Sequence, residues 1–333
     1  MENNTTPLEK TQYQISRDAL APLKNPEVSS HFLTADEILT TKWPEPIWAI
    51  PGILPVGLSI LAGVPKVGKS WLALQIAQAV AAGGVVLGKK VDKGSVLYLA
   101  LEDSPRMLQN RMQKQSWPVG LDVDFITNGE FDRFIGDLRG IGMRRLTNLI
   151  EQRGYRLVVV DTLSRVLKGD QNEVAVMTAE LAPVQEMAHK YNCAMLFNDH
   201  HKKAKGEAQD AIADILGSTA KGAIADTVLG LYRERGKSGA KLSITGREVE
   251  ETCLDIYMDW VTGCWQLNTA NDNNLEQRSE LLEALKKNKG RASTSELAKA
   301  VDRNRGTVYK QMSQFEGLGK VKKDGKIWVF PDI

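Results

Sequence analysis

The feature that most constrains the fold is an octapeptide, GVPKVGKS, at residues 63–70. It matches the pattern G-x-x-x-x-G-K-[ST], in which successive backbone N–H groups and the N-terminus of the following helix converge on phosphates. The apolar run before it, residues 58–62, predicts a buried strand, and the run after it, residues 71–82, predicts a helix. A strand, a glycine loop and a helix in this order predict an α/β fold that presents the loop to a phosphate.

The residues of this loop form the predicted nucleotide site. Lys69 is expected to reach the β- and γ-phosphates of ATP, and the Ser70 hydroxyl is expected to ligate Mg²⁺. The predicted nucleotide-binding residues are Gly63, Val64, Pro65, Lys66, Val67, Gly68, Lys69, Ser70 and Trp71.

Length and composition set the broad class of the protein. The 333 residues are enough for one large α/β domain and a small accessory domain, and the hydrophobic content of 42% is that of an ordinary soluble protein. The longest apolar runs have strand length or are amphipathic, and the N-terminus MENNTTPLEK lacks the basic and apolar regions of a signal peptide. Three scattered cysteines, Cys193, Cys253 and Cys264, are expected to be reduced thiols. These features predict a cytoplasmic protein without membrane contact.

Strands and helices alternate from residue 58 to residue 197, a pattern typical of a parallel sheet. Four further strands, predicted at residues 227–232, 241–245, 253–258 and 264–267, indicate an antiparallel extension of that sheet. The prolines of residues 31–56 predict an ordered strap without repetitive structure. The predicted organisation is a flexible arm at residues 1–30, the α/β domain at 31–267, a linker at 268–274 and a small domain at 275–333.

Two acidic residues at strand ends are candidates for the rest of the site. The run LVVVD at residues 157–161 predicts a buried strand that brings Asp161 to the edge of the sheet, where it can help hold the Mg²⁺ bound by Ser70. Glu102 ends the strand in YLALED. If that strand lies beside residues 157–161, its carboxylate faces the γ-phosphate and can polarise the attacking water. Asp103 either competes for this role or caps the next helix.

The segment NDHHKKAKG follows the strand that ends near residue 197. A polar group there can hydrogen-bond the γ-phosphate and report hydrolysis to the loop beyond, so His200 or His201 is a candidate sensor. Adjacent residues of an extended strand point to opposite faces, which makes the two histidines poor ligands for one metal ion.

The chain resembles a known family in six segments. It is similar to the RepA-type, RecA-like AAA-family ATPases of plasmids, phages and integrated elements, which are relatives of the DnaB-type hexameric replicative helicases. The segments are LPVGLSILAGVPKVGKSWLALQIAQAVAAGG, VLYLALEDSPRMLQNRM, LVVVDTLSRV, NDHHKK, LGSTAKGAIADTVLGLYRER and LSITGREVEE. The resemblance covers roughly residues 35–270 and implies a RecA-like P-loop NTPase fold.

The resemblance also implies roles and an assembly. Glu102 would be the catalytic glutamate, Asp161 the aspartate of the Mg²⁺ site, and His200 or His201 the sensor. The subunits would form a ring, hexameric as in the relatives, in which ATP lies between subunits and an arginine of the neighbour completes the site. The candidates for that arginine are Arg233, Arg235 and Arg247.

The last sixty residues are basic. Residues 274–333 hold 13 Lys and Arg against 8 Asp and Glu, whereas the remainder holds 30 against 33. A leucine-rich helix at residues 275–287, a capping box from Ser293 to Glu296, a third helix and a hairpin resemble a winged helix-turn-helix. Such modules bind DNA or other proteins, and the basic balance favours DNA. The predicted DNA-contacting residues are Arg303, Asn304, Arg305, Thr307, Lys310, Lys322, Lys323 and Lys326.

The predicted function is Mg²⁺-dependent ATP hydrolysis coupled to DNA by an oligomer, as in the replicative helicase of a mobile element. Single-stranded DNA would pass through the ring, where Lys202, Lys203 and Lys205 either contact the strand or lie in a solvated loop. A second hypothesis is a DNA-bound regulatory or loading ATPase that switches assembly with nucleotide and does not unwind. The C-terminal module favours the second hypothesis, and the complete catalytic set favours the first.

Overall fold

The computed structural model of the chain describes residues 33–201, 211–215, 220–234, 236–268, 281–317 and 321–330. The chain divides into two compact units, Met1–Glu45 and Pro46–Ile333. In the first unit, helix α1 (Ala35–Thr40) begins at a capping box formed by Thr34 and Glu37. The prediction that residues 31–56 lack repetitive structure is therefore wrong. The predicted arm at residues 1–30 lies outside the described residues.

The second unit contains the elements that carry the site. Its helices are α2 (Lys69–Ala82), α3 (Pro105–Lys114), α4 (Asn128–Phe134), α5 (Gly140–Arg153), α6 (Leu163–Val166), α7 (Val174–Lys190), α8 (Ala220–Ile224), α9 at residues 281–287, α10 (Thr294–Ala300) and α11 (Arg305–Gly317). In the described part of the chain, no helix combines the length and the apolar character needed to cross a membrane.

The strands of the second unit are short. In chain order they are β1 (Trp48–Ile50), β2 (Leu54–Pro55), β3 (Gly57–Gly63), β4 (Val85–Val86), β5 (Lys89–Lys90), β6 (Val96–Ala100), β7 (Val123–Thr127), β8 (Leu157–Asp161), β9 (Ala194–His200), β10 (Thr227–Tyr232), β11 (Gly239–Gly246), β12 (Thr252–Asp259), β13 (Cys264–Leu267), β14 (Arg291–Ser293), β15 (Lys322–Asp324) and β16 (Ile327–Val329).

A nine-stranded sheet forms the centre of this unit, in the order β13-β12-β11-β10-β3-β9-β8-β6-β7. The neighbours from β10 to β7 are parallel. Beyond β10 the sheet continues through β11, β12 and β13, and each of these strands is antiparallel to the one before it. The predicted α/β fold, a mostly parallel sheet with an antiparallel extension, is confirmed.

The inner strands are apolar on both faces because helices cover both faces. Alternate residues of β6 enter two separate hydrophobic clusters: Tyr98 packs with α2 residues such as Leu72, and Leu97 packs with residues of α5 and α7 such as Leu146 and Leu181. The sheet is therefore buried between two layers, and its open positions are the strand ends.

The C-terminal edge of the parallel strands is where the predicted site residues meet. In the register of the sheet, His200 pairs with Gly63, and Ala100 pairs with Asp161. Strand β9 extends to His200, three residues beyond the end predicted from the apolar run. The chain therefore brings its polar segment to the glycine loop within the sheet itself.

Residues 281–330 contain a smaller arrangement of α9, β14, α10, α11 and the hairpin β15–β16, with the three strands in the order β14-β16-β15. A hydrophobic cluster that includes Trp328, Val308 and Met312 packs these elements together. The capping box from Ser293 to Glu296 is confirmed, and strand β14 was not predicted. The predicted linker lies outside the described residues from residue 269 onward, as does the start of the helix at 275–287.

Candidate active site

Two glycines of the loop between β3 and α2 occupy positions where a side chain does not fit. Gly68 has a φ of +116°, and a Cβ at this position would lie 2.8 Å from the Trp265 ring. A Cβ on Gly63 would lie 2.8 Å from Val67 Cγ1 and 3.0 Å from the carbonyl oxygen of Leu231. Both positions therefore need glycine, and the backbone of the loop stays accessible to a ligand.

Lys69 is the first residue of α2, which begins two residues earlier than predicted, and its side chain is folded back onto the loop. Its Nζ donates to the carbonyl oxygens of Gly63 (2.8 Å) and Val64 (3.3 Å). Burial lowers the pKa of Lys69 to about 8. Three carboxylates oppose this shift through attraction to the ammonium, namely Asp161, Asp199 and Glu102. A buried ammonium group at the end of a glycine loop suits the negative charge of a phosphate.

Asp161 ends β8 and is buried, with 4% of its surface exposed. The hydroxyl of Tyr98, on the neighbouring strand β6, donates to Asp161 Oδ2 at 3.1 Å. Burial, together with this carboxylate, raises the pKa of Tyr98 well above its ordinary value, so the hydroxyl stays a donor. Sequence reasoning did not identify Tyr98, although a tyrosine within the apolar strand VLYLA is a visible signal.

Glu102 lies two residues beyond β6, next to Asp161. Ala100 pairs with Asp161, and the backbone N–H of Leu101 donates to the Asp161 carbonyl oxygen at 2.8 Å. The two strands on which the prediction for Glu102 depended are therefore neighbours. The Glu102 side chain is exposed at this edge, where it can meet water. Its role as the catalytic glutamate remains a prediction.

Asp103 is paired with the helix that follows it. Its side chain forms an ion pair with Arg111 within the following helix, and burial raises its pKa. The cap of α3 is Ser104, whose hydroxyl accepts from the backbone N–H of Met107 at 3.4 Å. The alternative in which Asp103 caps this helix is therefore wrong.

Both candidate sensor histidines lie against the glycine loop. The backbone N–H of His201 donates to the carbonyl oxygen of Gly63 at 3.3 Å, and its ring stacks on Tyr232 with a centroid separation of 4.7 Å. Burial lowers the pKa of His201 to about 4, so its ring is neutral at physiological pH. His200 Nδ1 and His201 Nε2 are buried and have no hydrogen-bond partner within the described residues. The assignment of one of them as the sensor remains a prediction.

Sequence reasoning missed a buried ion pair between Asp199, which precedes these histidines on β9, and Lys221 of α8. Lys221 Nζ lies 2.7 Å from Asp199 Oδ2, and the two side chains are 0% and 2% exposed. Lys221 also donates to Gln171 Oε1 at 2.8 Å. The available signal was a single lysine in the apolar segment TAKGAIA. These bonds tie α8 to the strand that contacts the glycine loop.

The three arginine candidates are placed differently. Arg233 follows β10, and its Nη2 donates to the carbonyl oxygen of Lys66 in the same chain's loop at 3.3 Å. Arg247 follows β11, which runs antiparallel to β10. It therefore lies near the start of β10, at the opposite ends of the strands from the glycine loop. There it contacts Asp226 (3.5 Å) and the carbonyl oxygen of Ala223 (3.0 Å). Arg235 lies outside the described residues.

The predicted DNA contacts are only partly described by the structure. Lys202, Lys203 and Lys205 lie outside the described residues. In the C-terminal region the exposed candidates are Asn304, Arg305, Thr307, Lys310, Lys322, Lys323 and Lys326, and Arg303 is half-buried. Asn304 and Lys323 have partners within the chain that sequence reasoning missed. Asn304 Oδ1 accepts from Gly306 N at 2.8 Å, and Lys323 Nζ lies 4.6 Å from the Tyr309 ring and 5.4 Å from the Trp328 ring.

The residues at the loop fit a magnesium nucleotide. The Ser70 hydroxyl and the Asp161 carboxylate would offer Mg²⁺ the hard oxygen donors that it prefers alongside phosphate oxygens. The ammonium of Lys69 is buried beside a loop in which two glycines leave the backbone open. A glycine loop, a buried lysine and an acidic strand end, on a mostly parallel sheet between helices, define a P-loop nucleotide-binding protein.

Comparison with a family model agrees with this class. A family model described as AAA domain matches residues 24–206, which is more than half of the chain. The chain therefore belongs to the AAA domain family, in which nucleotide binding and hydrolysis are the general chemistry. Among solved structures, a KaiC-like protein from the hyperthermophilic archaeon Pyrococcus horikoshii OT3 is similar, at 15% sequence identity and a TM-score of 0.46. The match covers 68% of this chain and 99% of that one.

Proposed function

We propose that this chain is a Mg²⁺-dependent ATPase that works on DNA as an oligomer, as the replicative helicase of a mobile genetic element. The observation that supports hydrolysis is the position of Lys69, Asp161 and Glu102 at one edge of the sheet. The carboxylates are close enough to Lys69 to raise its pKa against the effect of burial. The glycine loop, the proposed metal ligand Asp161 and the acidic Glu102 thus surround a single space at the strand ends.

The chain's own residues account for the steps of phosphoryl transfer to water. Lys69 neutralises charge on the β- and γ-phosphates, and its burial strengthens that interaction because water does not screen it. Glu102 is exposed beside Asp161 and orients the attacking water. Mg²⁺, held by Ser70 and Asp161, would supply further positive charge to the phosphate oxygens. His200 and His201 both contact the loop, and one of the two is the sensor that responds to the loss of the γ-phosphate.

The arginine that completes the site is proposed to come from a neighbouring copy. Arg247 lies at the sheet edge opposite its own loop, and its side chain is 60% exposed. It is therefore remote from the nucleotide of its own chain and open to a neighbour's, as a trans arginine requires. Arg233 contacts its own loop and is the poorer candidate.

Complementation tests this shared site. We expect Lys69→Ala and Arg247→Ala each to abolish ATP turnover when assembled alone. Mixed assemblies of the two variants should regain part of the turnover, because some interfaces combine an intact loop with an intact arginine. Substantial turnover by Lys69→Ala alone would overturn the site, and a mixture as inactive as its components would overturn the trans arginine.

The proposed DNA contact in the C-terminal region rests on shape and charge. Helix α11 follows the turn at residues 301–304, as a recognition helix follows its turn, and the β15–β16 hairpin takes the place of a wing. Arg305, Lys310, Lys322 and Lys326 are exposed on these elements. Arginine and lysine at these positions would contact phosphates, and Thr307 would approach base edges. Binding that does not weaken as salt is raised would contradict this assignment.

The regulatory ATPase is the second candidate, and the C-terminal region is the observation that favours it. A strand-displacement assay with a forked duplex separates the two functions. ATP-dependent unwinding by the wild type, absent from Lys69→Ala, supports the helicase. Sequence-specific protection of duplex DNA without unwinding, lost on deletion of residues 275–333, supports the regulator.

A further inference from the structure

The turn between β12 and β13 is fixed to the phosphate loop. The indole Nε1 of Trp265 donates to the carbonyl oxygen of Gly68 at 3.1 Å. The amide of Gln115 donates to the carbonyl oxygens of Trp71 and Gly263, both at 2.9 Å, and so joins the start of α2 to this turn. The turn therefore keeps a constant position beside the residues that hold phosphate.

The turn also has a rigid conformation of its own. The Asp259 side chain accepts from the backbone N–H of Val261 at 2.9 Å and from the Thr262 hydroxyl at 3.0 Å, and the Gly263 N–H donates to the Asp259 carbonyl oxygen at 2.7 Å. Yet Trp260 and Val261 are 43% and 47% exposed. A rigid turn that leaves an indole in water next to a ligand site suits the binding of a flat apolar group.

Arg233 supports this indole from the sheet side. Its guanidinium lies 5.1 Å from the Trp260 ring centre and 5.9 Å from the Trp265 ring centre, while Nη2 donates to Lys66. Its Nη1 is buried and has no hydrogen-bond partner within the described residues. The guanidinium is therefore held in place, with its planar cation against both indoles.

The order of the strands determines which end of a nucleotide reaches this turn. Strand β3 carries the loop, and β9, β8 and β6 lie on one side of it with the histidines, Asp161 and Glu102. Strands β10 to β13 lie on the other side, with Arg233 and Trp260. The γ-phosphate belongs on the acidic side, where water is activated. The ribose and base therefore extend toward the β12–β13 turn.

We propose that Trp260, supported by Arg233, stacks on the base of the bound nucleoside di- or triphosphate. This inference rests on the proposed function, since it assumes that phosphates bind the loop. We call the Trp260 ring the base platform. Stacking of a base on an aromatic ring is tolerant of base identity, so this platform raises the affinity for all nucleotides and selects weakly among bases.

Comparison of a nucleotide with its phosphates alone tests the platform. Titration calorimetry of the full chain measures the affinity for ADP and for inorganic triphosphate in wild type, Trp260→Ala and Trp260→Phe. We expect Trp260→Ala to bind ADP roughly 5- to 30-fold more weakly and to bind triphosphate as the wild type does. Trp260→Phe should recover most of the ADP affinity because it keeps an aromatic face. The matched control is Phe134→Ala, an exposed aromatic residue next to the strand at the far edge of the sheet.

The outcomes separate this inference from the proposed function. Wild-type ADP affinity in Trp260→Ala, or an equal loss for ADP and triphosphate, overturns the platform while the phosphate site stands. A wild-type chain that binds neither ligand overturns the phosphate site, and the platform falls with it. A loss for ADP alone, with recovery in Trp260→Phe, supports the proposal.

Discussion

Replacement of Lys221 by methionine should destabilise the fold strongly. The substitution keeps the length and apolar part of the side chain and removes its charge. It leaves the Asp199 carboxylate, which is 2% exposed, without its charge partner at 2.7 Å. It also removes the hydrogen bond to Gln171. The perturbation is thus one buried charge, with little change in volume.

The magnitude follows from the distance and the burial. Two unit charges 2.7 Å apart attract by about 6 kcal/mol at an effective dielectric constant of roughly 20. The loss of hydration on burial offsets part of this attraction, and removal of one partner of a buried pair costs about 3–5 kcal/mol. We therefore expect Lys221→Met to lower the free energy of unfolding by about 3–5 kcal/mol. The double variant Lys221→Met with Asp199→Leu should regain most of that loss, because no unpaired charge remains.

The chain contains a matched control. Lys237 Nζ and Glu234 Oε2 are also 2.7 Å apart, but their side chains are 62% and 72% exposed. Lys237→Met should therefore change the free energy of unfolding by less than about 1 kcal/mol. Urea unfolding followed by circular dichroism, at low and at high salt, measures both variants. Equal effects of Lys221→Met and Lys237→Met, or a double variant as unstable as Lys221→Met, would refute the reasoning from burial.

Three further predictions concern the site, its pH response and DNA. Glu102→Gln should bind ADP as the wild type does and release phosphate from ATP about 10²- to 10⁴-fold more slowly, because only proton transfer is lost. An unchanged rate of phosphate release would exclude Glu102 as the catalytic acid–base residue. Burial lowers the pKa of His201 to about 4 in the folded state, against an ordinary value of 6.5. Between those two pH values only the unfolded chain takes up this proton, so the free energy of unfolding falls as the pH is lowered through that window. The fall is at most about 3 kcal/mol, and solvent screening makes it smaller. Urea midpoints measured across the window should change less with pH in His201→Phe, and identical pH profiles would contradict the assignment. Lys322 and Lys323 are both exposed, but the Lys323 ammonium lies against two aromatic rings. We therefore expect Lys322→Ala, rather than Lys323→Ala, to reduce the salt slope of DNA binding by about one.

Local signals in the sequence predicted most of the elements near the site. The apolar runs before the glycine loop and before Asp161 became β3 and β8, and the predicted capping box from Ser293 to Glu296 begins α10. These predictions succeeded because buried strands and capped helices are marked within a few residues of the chain. The errors were also local. The capping box of α1 was present at Thr34 but was outweighed by nearby prolines, and β14 is too short to show alternation.

The sequence by itself determined that a phosphate loop lies between a strand and a helix, and that one acidic residue ends another strand and a second lies just beyond the end of a third. The tertiary structure decided which side chains meet there. Tyr98 reaches Asp161 across 63 positions of the chain, Lys221 reaches Asp199 across 22, and Arg233 reaches Lys66 across 167. Each contact depends on which strands are neighbours and in what register. That order is set by the packing of the whole sheet between its helices, and the spacing of residues along the chain does not encode it.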